Sequence, residues 1–206
     1  MSDLKKYEKL KYKEGYNLIG GVDEVGRGPL VGPVVAACVI LPKRFKLDGL
    51  TDSKKLSEKK RNEFYEIIIK KCISFGVGIV EHDIIDEINI YQASKLAMEK
   101  AIKNCDVLPD YLLVDAMPLD LEIPSLSIIK GDSLSISIAA ASVIAKVTRD
   151  KTMYELNNLY PEYEFAKHKG YPTKKHIENI YKYGILDNYR KSYKPVYEYI
   201  NSLDKK

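Results

Sequence analysis

The chain has 206 residues, an apolar fraction of 45% and a net charge of +4, which suits one globular domain with a full hydrophobic core. No stretch approaches the roughly 18 apolar residues of a membrane span, and Met1-Ser2-Asp3-Leu4-Lys5-Lys6 lacks the apolar centre of a signal peptide, so a cytoplasmic protein with no membrane partner is expected. Cys38, Cys72 and Cys105 are odd in number, far apart and without a CxxC pair, so they read as small core residues rather than a disulfide frame or a zinc knuckle.

Residues 1–16 form a short N-terminal extension. The apolar run from Asn17 to Val22 predicts a strand, and Val34 to Leu41 predicts a second. Between them, Asp23 and Glu24 are followed by Val25-Gly26-Arg27-Gly28-Pro29. Side chains alternate along a strand, so both acids reach one site only if the strand ends or kinks at this point. Gly26 and Gly28 supply that freedom. Acid pairs at strand ends hold hard divalent cations, although an ordinary charged strand-to-turn junction has the same local composition.

A polar connection from Lys43 to Thr51 leads into Asp52-Ser53-Lys54-Lys55-Leu56. A helix follows with Ser57 as its N-cap and Phe64, Ile67 and Ile68 at helical spacing. Ile73 to Val80 predicts a third strand, then a short helix near 83–88 and a longer one near 91–104. Tyr111 to Asp115 is a short, continuously apolar fourth strand of the kind buried in parallel sheets. Leu126 to Lys130 predicts a fifth, ended by Gly131-Asp132. A long helix opens at Ser135, and its small residues Ala139, Ala140 and Ala141 permit close packing on a sheet. Helical segments continue to Tyr160 and again from Thr173 to Tyr183. Residues 146–206 carry 13 basic against 8 acidic side chains and ten of the sixteen tyrosines. That composition suits a phosphate backbone with its sugars and bases, and equally a solvated face whose tyrosines pack inward.

Three predicted strands finish on acid: Asp23-Glu24, Asp115, and Asp132 one residue after Gly131. In open α/β sheets, ligand sites gather at the carboxyl ends of parallel strands. Four carboxylates meeting there repel one another unless cations intervene, and an all-oxygen set selects Mg²⁺ or Mn²⁺ over zinc. Taken singly, Asp115 is as readily a loop residue, and Asp132 a cap for the helix that follows. His82, His168 and His176 have no partners at triad or metal spacing, so no catalytic role is assigned to them. Gly26 to Gly32 lacks GxGxxG spacing and precedes a strand, which excludes a dinucleotide loop.

The segment from Gly20 to Pro33 resembles the opening motif of ribonuclease HII. Asp115, Lys130-Gly131-Asp132, Ala145-Lys146-Val147-Thr148-Arg149-Asp150 and His168-Lys169-Gly170-Tyr171-Pro172-Thr173 continue the resemblance in order. It implies a ribonuclease H-like α/β fold: a five-stranded mixed sheet flanked by helices. The catalytic core would occupy residues 17–150, and residues 151–206 would form a basic, helical C-terminal part of the same domain. It implies Asp23, Glu24, Asp115 and Asp132 as catalytic metal ligands for two Mn²⁺ or Mg²⁺ ions. By the same resemblance Gly26, Arg27 and Gly28 sense a ribose 2′-hydroxyl with Tyr171, while Ser53, Lys54 and Lys55 contact phosphate. The activity implied is metal-dependent endoribonuclease action on RNA–DNA hybrids and on DNA duplexes containing ribonucleotides. Cutting would fall 5′ to the ribonucleotide, and the expected enzyme is monomeric. Removal of misincorporated ribonucleotides and of primer remnants would follow from it.

Two departures accompany the match: Val25 and Val31 stand where alanine is frequent, and Tyr189 and Tyr193 replace a frequent His and Phe, leaving their roles open. The sister family, ribonuclease HIII, usually has glutamate as the fourth acid and an added N-terminal domain. Here the fourth acid is Asp132, and fewer than twenty residues precede the first strand. A non-catalytic nucleic-acid-binding module is disfavoured by the four acids, because anions oppose a phosphate surface unless metal is present.

Overall fold

The computed structural model describes residues 4–203. Helix α1 (Lys6–Lys13) precedes strands β1 (Ile19–Val25) and β2 (Val34–Ile40). Helix α2 (Glu58–Lys71), strand β3 (Ser74–Val80) and helix α3 (His82–Lys103) follow, then β4 (Tyr111–Asp115) and β5 (Ser125–Ile128). The C-terminal half is helical: α4 (Ile136–Leu159), α5 (Phe165–His168), α6 (Lys174–Tyr183) and α7 (Lys194–Leu203). The five strands form one mixed sheet in the order β3-β2-β1-β4-β5. β2 is antiparallel to both β1 and β3, whereas β4 is parallel to both β1 and β5.

Alternation along the strands divides the core in two. Val25, Val35, Ala37 and Val39 pack with α2 and the alanine-rich start of α4. Val22, Val34, Ala36 and Cys38 face the other way, against Ala93, Ala97 and Met98 of α3. α4 crosses β1 so closely that a Cβ on Gly21 would lie 2.0 Å from the Ser137 carbonyl carbon, a contact only glycine permits. Helix starts follow local chemistry: Ser57 Oγ accepts from Lys60 N, Ser135 Oγ from Ile138 N, and Thr173 Oγ1 from His176 N.

The structure corrects several sequence expectations. β1 neither ends nor kinks at the acids but runs on through Val25, with Asp23 opposite Ala37 and Glu24 opposite Ala36. The ladder to β2 holds it straight, so Asp23 and Glu24 leave opposite faces of β1, and, burial apart, they are linked by charge through Asp115, which raises the pKa of both. β5 begins at Ser125 and stops at Ile128 because Lys130, at φ 58°, has already turned into the left-handed region. The two helices expected near 83–88 and 91–104 are present: α3 is interrupted at Asn89, φ 67°, whose Oδ1 caps the second segment by accepting from Tyr91 N and Gln92 N. The 1–16 extension carries α1, and the tail carries α7. Residues 204–206 of the tail lie outside the described residues. Cys38 and Cys105 are buried and Cys72 is half-buried. Among the described residues, no helix is long and apolar enough to cross a membrane.

Candidate active site

The parallel pairing of β1 with β4 ends at Val22 opposite Val114. The next residue on each strand is therefore an acid, Asp23 on β1 and Asp115 on β4, both on the α4 side. Asp23 is 6% exposed. Its Oδ1 accepts from Glu24 N at 2.8 Å, and Ser142 of α4 hydrogen-bonds the same carboxyl. Asp115 Oδ1 accepts from Gly131 N at 2.6 Å, which draws the turn carrying Asp132 against the end of β4. Asp132 lies in a 3₁₀ turn, Gly131–Ser133, and does not cap α4; that position belongs to Ser135.

Electrostatics tie the four acids together. Burial, then Glu24 and Asp115, push the Asp23 carboxyl well above its ordinary range. Burial raises Glu24 to about 7 against the opposing pull of Arg27, whose Nη1 lies 3.5 Å from Glu24 Oε1. Asp115 is raised by burial although Gly131 N–H and Lys54 oppose it, and Asp132 is raised by burial, Asp52 and Asp115. The cationic answer within the chain is Lys54: burial works against its charge, but Asp23, Asp52 and Asp132 outweigh burial and raise its pKa.

The donor set fits a hard divalent cation. It is all oxygen, its members resist ionising together, and Glu24 Oε2 is buried without a hydrogen-bond partner. Among the described residues, however, no three His, Cys, Asp or Glu side chains are already gathered as a complete metal-holding group. The acids are neighbours in charge rather than a finished cage.

A pocket of about 200 Å³ adjoins them, lined by Glu24, Val25, Gly26, Arg27, Gly28, Lys54 and Tyr171. A roomier 320 Å³ cleft between α2 and α4, beside Glu58 and Tyr154, is lined by none of the four acids. The small pocket unites three segments of the sequence reading. Tyr171 is exposed, and its ring edge lies 3.4 Å from where a Gly28 Cβ would stand, so the two form facing walls. Lys54 and Lys55 face solvent, whereas Ser53 turns inward. Ser53 is 2% exposed and its Oγ lies 2.8 Å from Ser142 Oγ. Its hydroxyl anchors the turn that presents Lys54 and Lys55. Arg61 braces the same turn by donating to the Ser53 and Leu56 carbonyls.

The groups that shape the pocket were mostly missed in the sequence. Arg190 is fully buried and donates to the carbonyls of Gly26 (2.7 Å), Arg27 (3.1 Å) and Gly32 (2.8 and 3.0 Å). Tyr193 OH also donates to Arg27 O at 2.6 Å, which gives a role to one of the tyrosines left open. Arg149, also fully buried, donates to Pro33, Val31 and Lys169 carbonyls, binding the opening motif to the segment that carries Tyr171. Gly26, at φ 98°, is obligatory here, since a Cβ would fall 2.4 Å from Arg149 Nε. Arg149 stands in the quoted Ala145–Asp150 motif, but nothing local shows what an arginine reaches.

His176 contacts the Tyr171 carbonyl through Nδ1 at 2.9 Å and Tyr189 OH through Nε2 at 2.7 Å. A carbonyl only accepts, so Nδ1 carries a proton; burial disfavours a second one, which leaves Nε2 to accept from the tyrosine and the imidazole neutral. The ring stacks on His168 at 4.2 Å, and together they fix the turn that presents Tyr171. Burial lowers His176 from 6.5 to about 4. The folded protein therefore binds fewer protons than the unfolded chain between these values, and stability is lost as pH falls from 6.5 towards 4. Urea titrations are expected to show about 3 kcal/mol of acid-linked loss across that window, largely absent in His176→Gln.

Residues 20–199 match the model of the ribonuclease HII family. The chain is 56% identical over 200 residues to ribonuclease HII of Bacillus cytotoxicus, covering 97% of this chain and 77% of that relative. It is 57% identical over 194 residues to ribonuclease HII of Bacillus subtilis, covering 94% and 76%. Among solved structures it is similar to the ribonuclease H2 from Pyrococcus horikoshii, with a TM-score of 0.78, 25% identity, and coverage of 92% of this chain and 100% of the other.

Proposed function

This chain belongs to the ribonuclease HII family and is an endoribonuclease of the ribonuclease H class, and from that premise we propose its substrate and chemistry. It hydrolyses the RNA strand of RNA–DNA hybrids and cuts 5′ to ribonucleotides embedded in duplex DNA, leaving 3′-hydroxyl and 5′-phosphate ends. The observation that carries this reading is the shared wall of the pocket: Glu24 belongs at once to the acid cluster and to the cleft formed by Gly26-Arg27-Gly28, Lys54 and Tyr171.

Asp23, Glu24, Asp115 and Asp132 would hold two Mn²⁺ or Mg²⁺ ions, which supply an activated water and neutralise the departing 3′-oxygen. The chain's own residues do the selecting. The Arg27 carbonyl already accepts from both Arg190 and Tyr193, so a 2′-hydroxyl entering the cleft meets the amide groups of Arg27 and Gly28. Glycine at 28 lets the sugar approach the backbone, and the Tyr171 ring closes the opposite side. Lys54 and Lys55 meet the phosphate backbone. The substrate resides with chromosomal DNA, and the reading includes a monomer working in the cytoplasm.

The 17–150 core and the 151–206 part act as one domain in this reading. Leu30 N donates to Gly170 O, Gly32 N to Asn188 O and Arg190 N to Leu30 O, so the sugar-reading turn is stitched to the C-terminal part. Tyr171→Ala tests the sugar reading. Cleavage beside a single embedded ribonucleotide is expected to fall about tenfold more than cleavage within a long RNA tract, equivalent to ~1.4 kcal/mol. Equal losses on both substrates would remove Tyr171 from junction selection.

A further inference from the structure

Glu8 of α1 is a carboxylate 3% exposed in a helix whose other charges lie outside. Its Oε1 accepts from Ser135 Oγ at 2.5 Å and from Ser137 N at 3.0 Å, 127 and 129 residues away. Leu4 O accepts from Ile136 N at 2.8 Å beside it. The N-terminal segment thus occupies the donors at the start of α4, where a carboxylate also meets the positive end of the helix dipole.

The start of α4 is also the far end of the turn that carries Asp132. Ser135 N donates to Gly131 O at 2.8 Å and Leu134 N to the same oxygen at 2.9 Å. Gly131 N in turn donates to Asp115 Oδ1 at 2.6 Å. The turn is therefore pinned at two points, to Asp115 on one side and through Ser135 to Glu8 on the other, with Asp132 between them. Ser135 is fully buried, and its hydroxyl both donates to Glu8 and accepts from Ile138 N, so it has one orientation while Glu8 is present.

We propose that Glu8 is a positioning residue for the metal site: α1 latches the Gly131–Ser135 turn and so sets where Asp132 stands relative to Asp115. This rests on the reading of Asp115 and Asp132 as metal ligands. Because the latch acts on the ligand geometry and not on the nucleic-acid cleft, its loss should weaken metal affinity while sparing substrate binding.

The test is calorimetric titration of Mn²⁺ into the nucleic-acid-free protein, alongside steady-state cleavage at saturating metal and a melting curve for each variant. Glu8→Ala is expected to weaken Mn²⁺ binding about threefold to tenfold, below the roughly 10- to 100-fold typical when a ligand loses its direct hydrogen-bond partner. KM for the hybrid should stay within about twofold at saturating metal. Glu8→Gln keeps an accepting Oε1 and should recover most of the affinity. Glu8→Ala with a lower melting temperature but wild-type Mn²⁺ affinity would overturn the proposal and leave a plain helix cap. Asp132→Asn separates the two readings: lost affinity there without loss in Glu8→Ala overturns the latch alone, and no loss in Asp132→Asn overturns the four-acid site and the latch with it.

Discussion

Asp23→Asn should reduce cleavage by roughly a thousandfold, ~4 kcal/mol of transition-state stabilisation, while making the metal-free protein harder to melt. The two effects have one cause. The Asp23 carboxyl is buried beside three other acids, and burial with their charges raises its pKa far above 3.8. A folded acid with a raised pKa binds more protons than the unfolded chain. Folding stability then falls as pH rises from about 3.8 through the folded value, and the full penalty applies above it. Asparagine keeps an accepting oxygen for Glu24 N but carries no charge, so the penalty disappears. In chelator at pH 8 the variant should melt above the wild type. Added Mn²⁺ should raise the melting temperature of the wild type and leave the variant nearly unmoved. A variant that melts lower in chelator, or retains a tenth of wild-type activity, would contradict this account of the acid cluster.

Arg190→Met should be the most damaging change outside the acids. The guanidinium spans three carbonyls, those of Gly26, Arg27 and Gly32, in a site with no exposure. Removing it strands the Gly26 and Gly32 carbonyls and leaves Arg27 O only the Tyr193 hydroxyl, and each buried unpaired polar group costs about 1–3 kcal/mol. A total near ~4 kcal/mol corresponds to a melting drop of roughly 10 °C for a domain of this size. The turn it frees is the one that would read the sugar, so discrimination against all-DNA duplex should relax even at temperatures where the variant is folded. Arg190→Lys should fail to rescue, since an ammonium is one compact point and cannot fork across three oxygens. Melting curves and cleavage of matched duplexes with and without a ribonucleotide check both halves.

Features set by neighbouring residues were legible in the sequence. Ser57 caps α2 as read, the helix expected from Thr173 forms, the β4 run ends on Asp115, and the alanines of α4 lie against the sheet. Features that depend on topology were not. The strand order had no local signature, and the β1 extension through Glu24 is imposed by its ladder to β2. Arg190 meets Gly26 across 164 residues, and Glu8 meets Ser135 across 127. A buried charge of this kind looks in the sequence like any solvated one. Ser53 shows the converse: it sits in a polar, basic turn, yet the fold turns its hydroxyl inward to Ser142.

The central claim is that Asp23, Glu24, Asp115 and Asp132 work as one metal-holding set beside a pocket that reads a single 2′-hydroxyl. The most direct measurement uses an end-labelled DNA duplex carrying one ribonucleotide, incubated with Mn²⁺ and either the wild type or Asp132→Asn, with products mapped at nucleotide resolution. The wild type is expected to make one cut on the 5′ side of the ribonucleotide with a 3′-hydroxyl on the upstream product, none in chelator, and Asp132→Asn almost none. An uncut duplex, a cut on the 3′ side, or full activity in Asp132→Asn would contradict the claim.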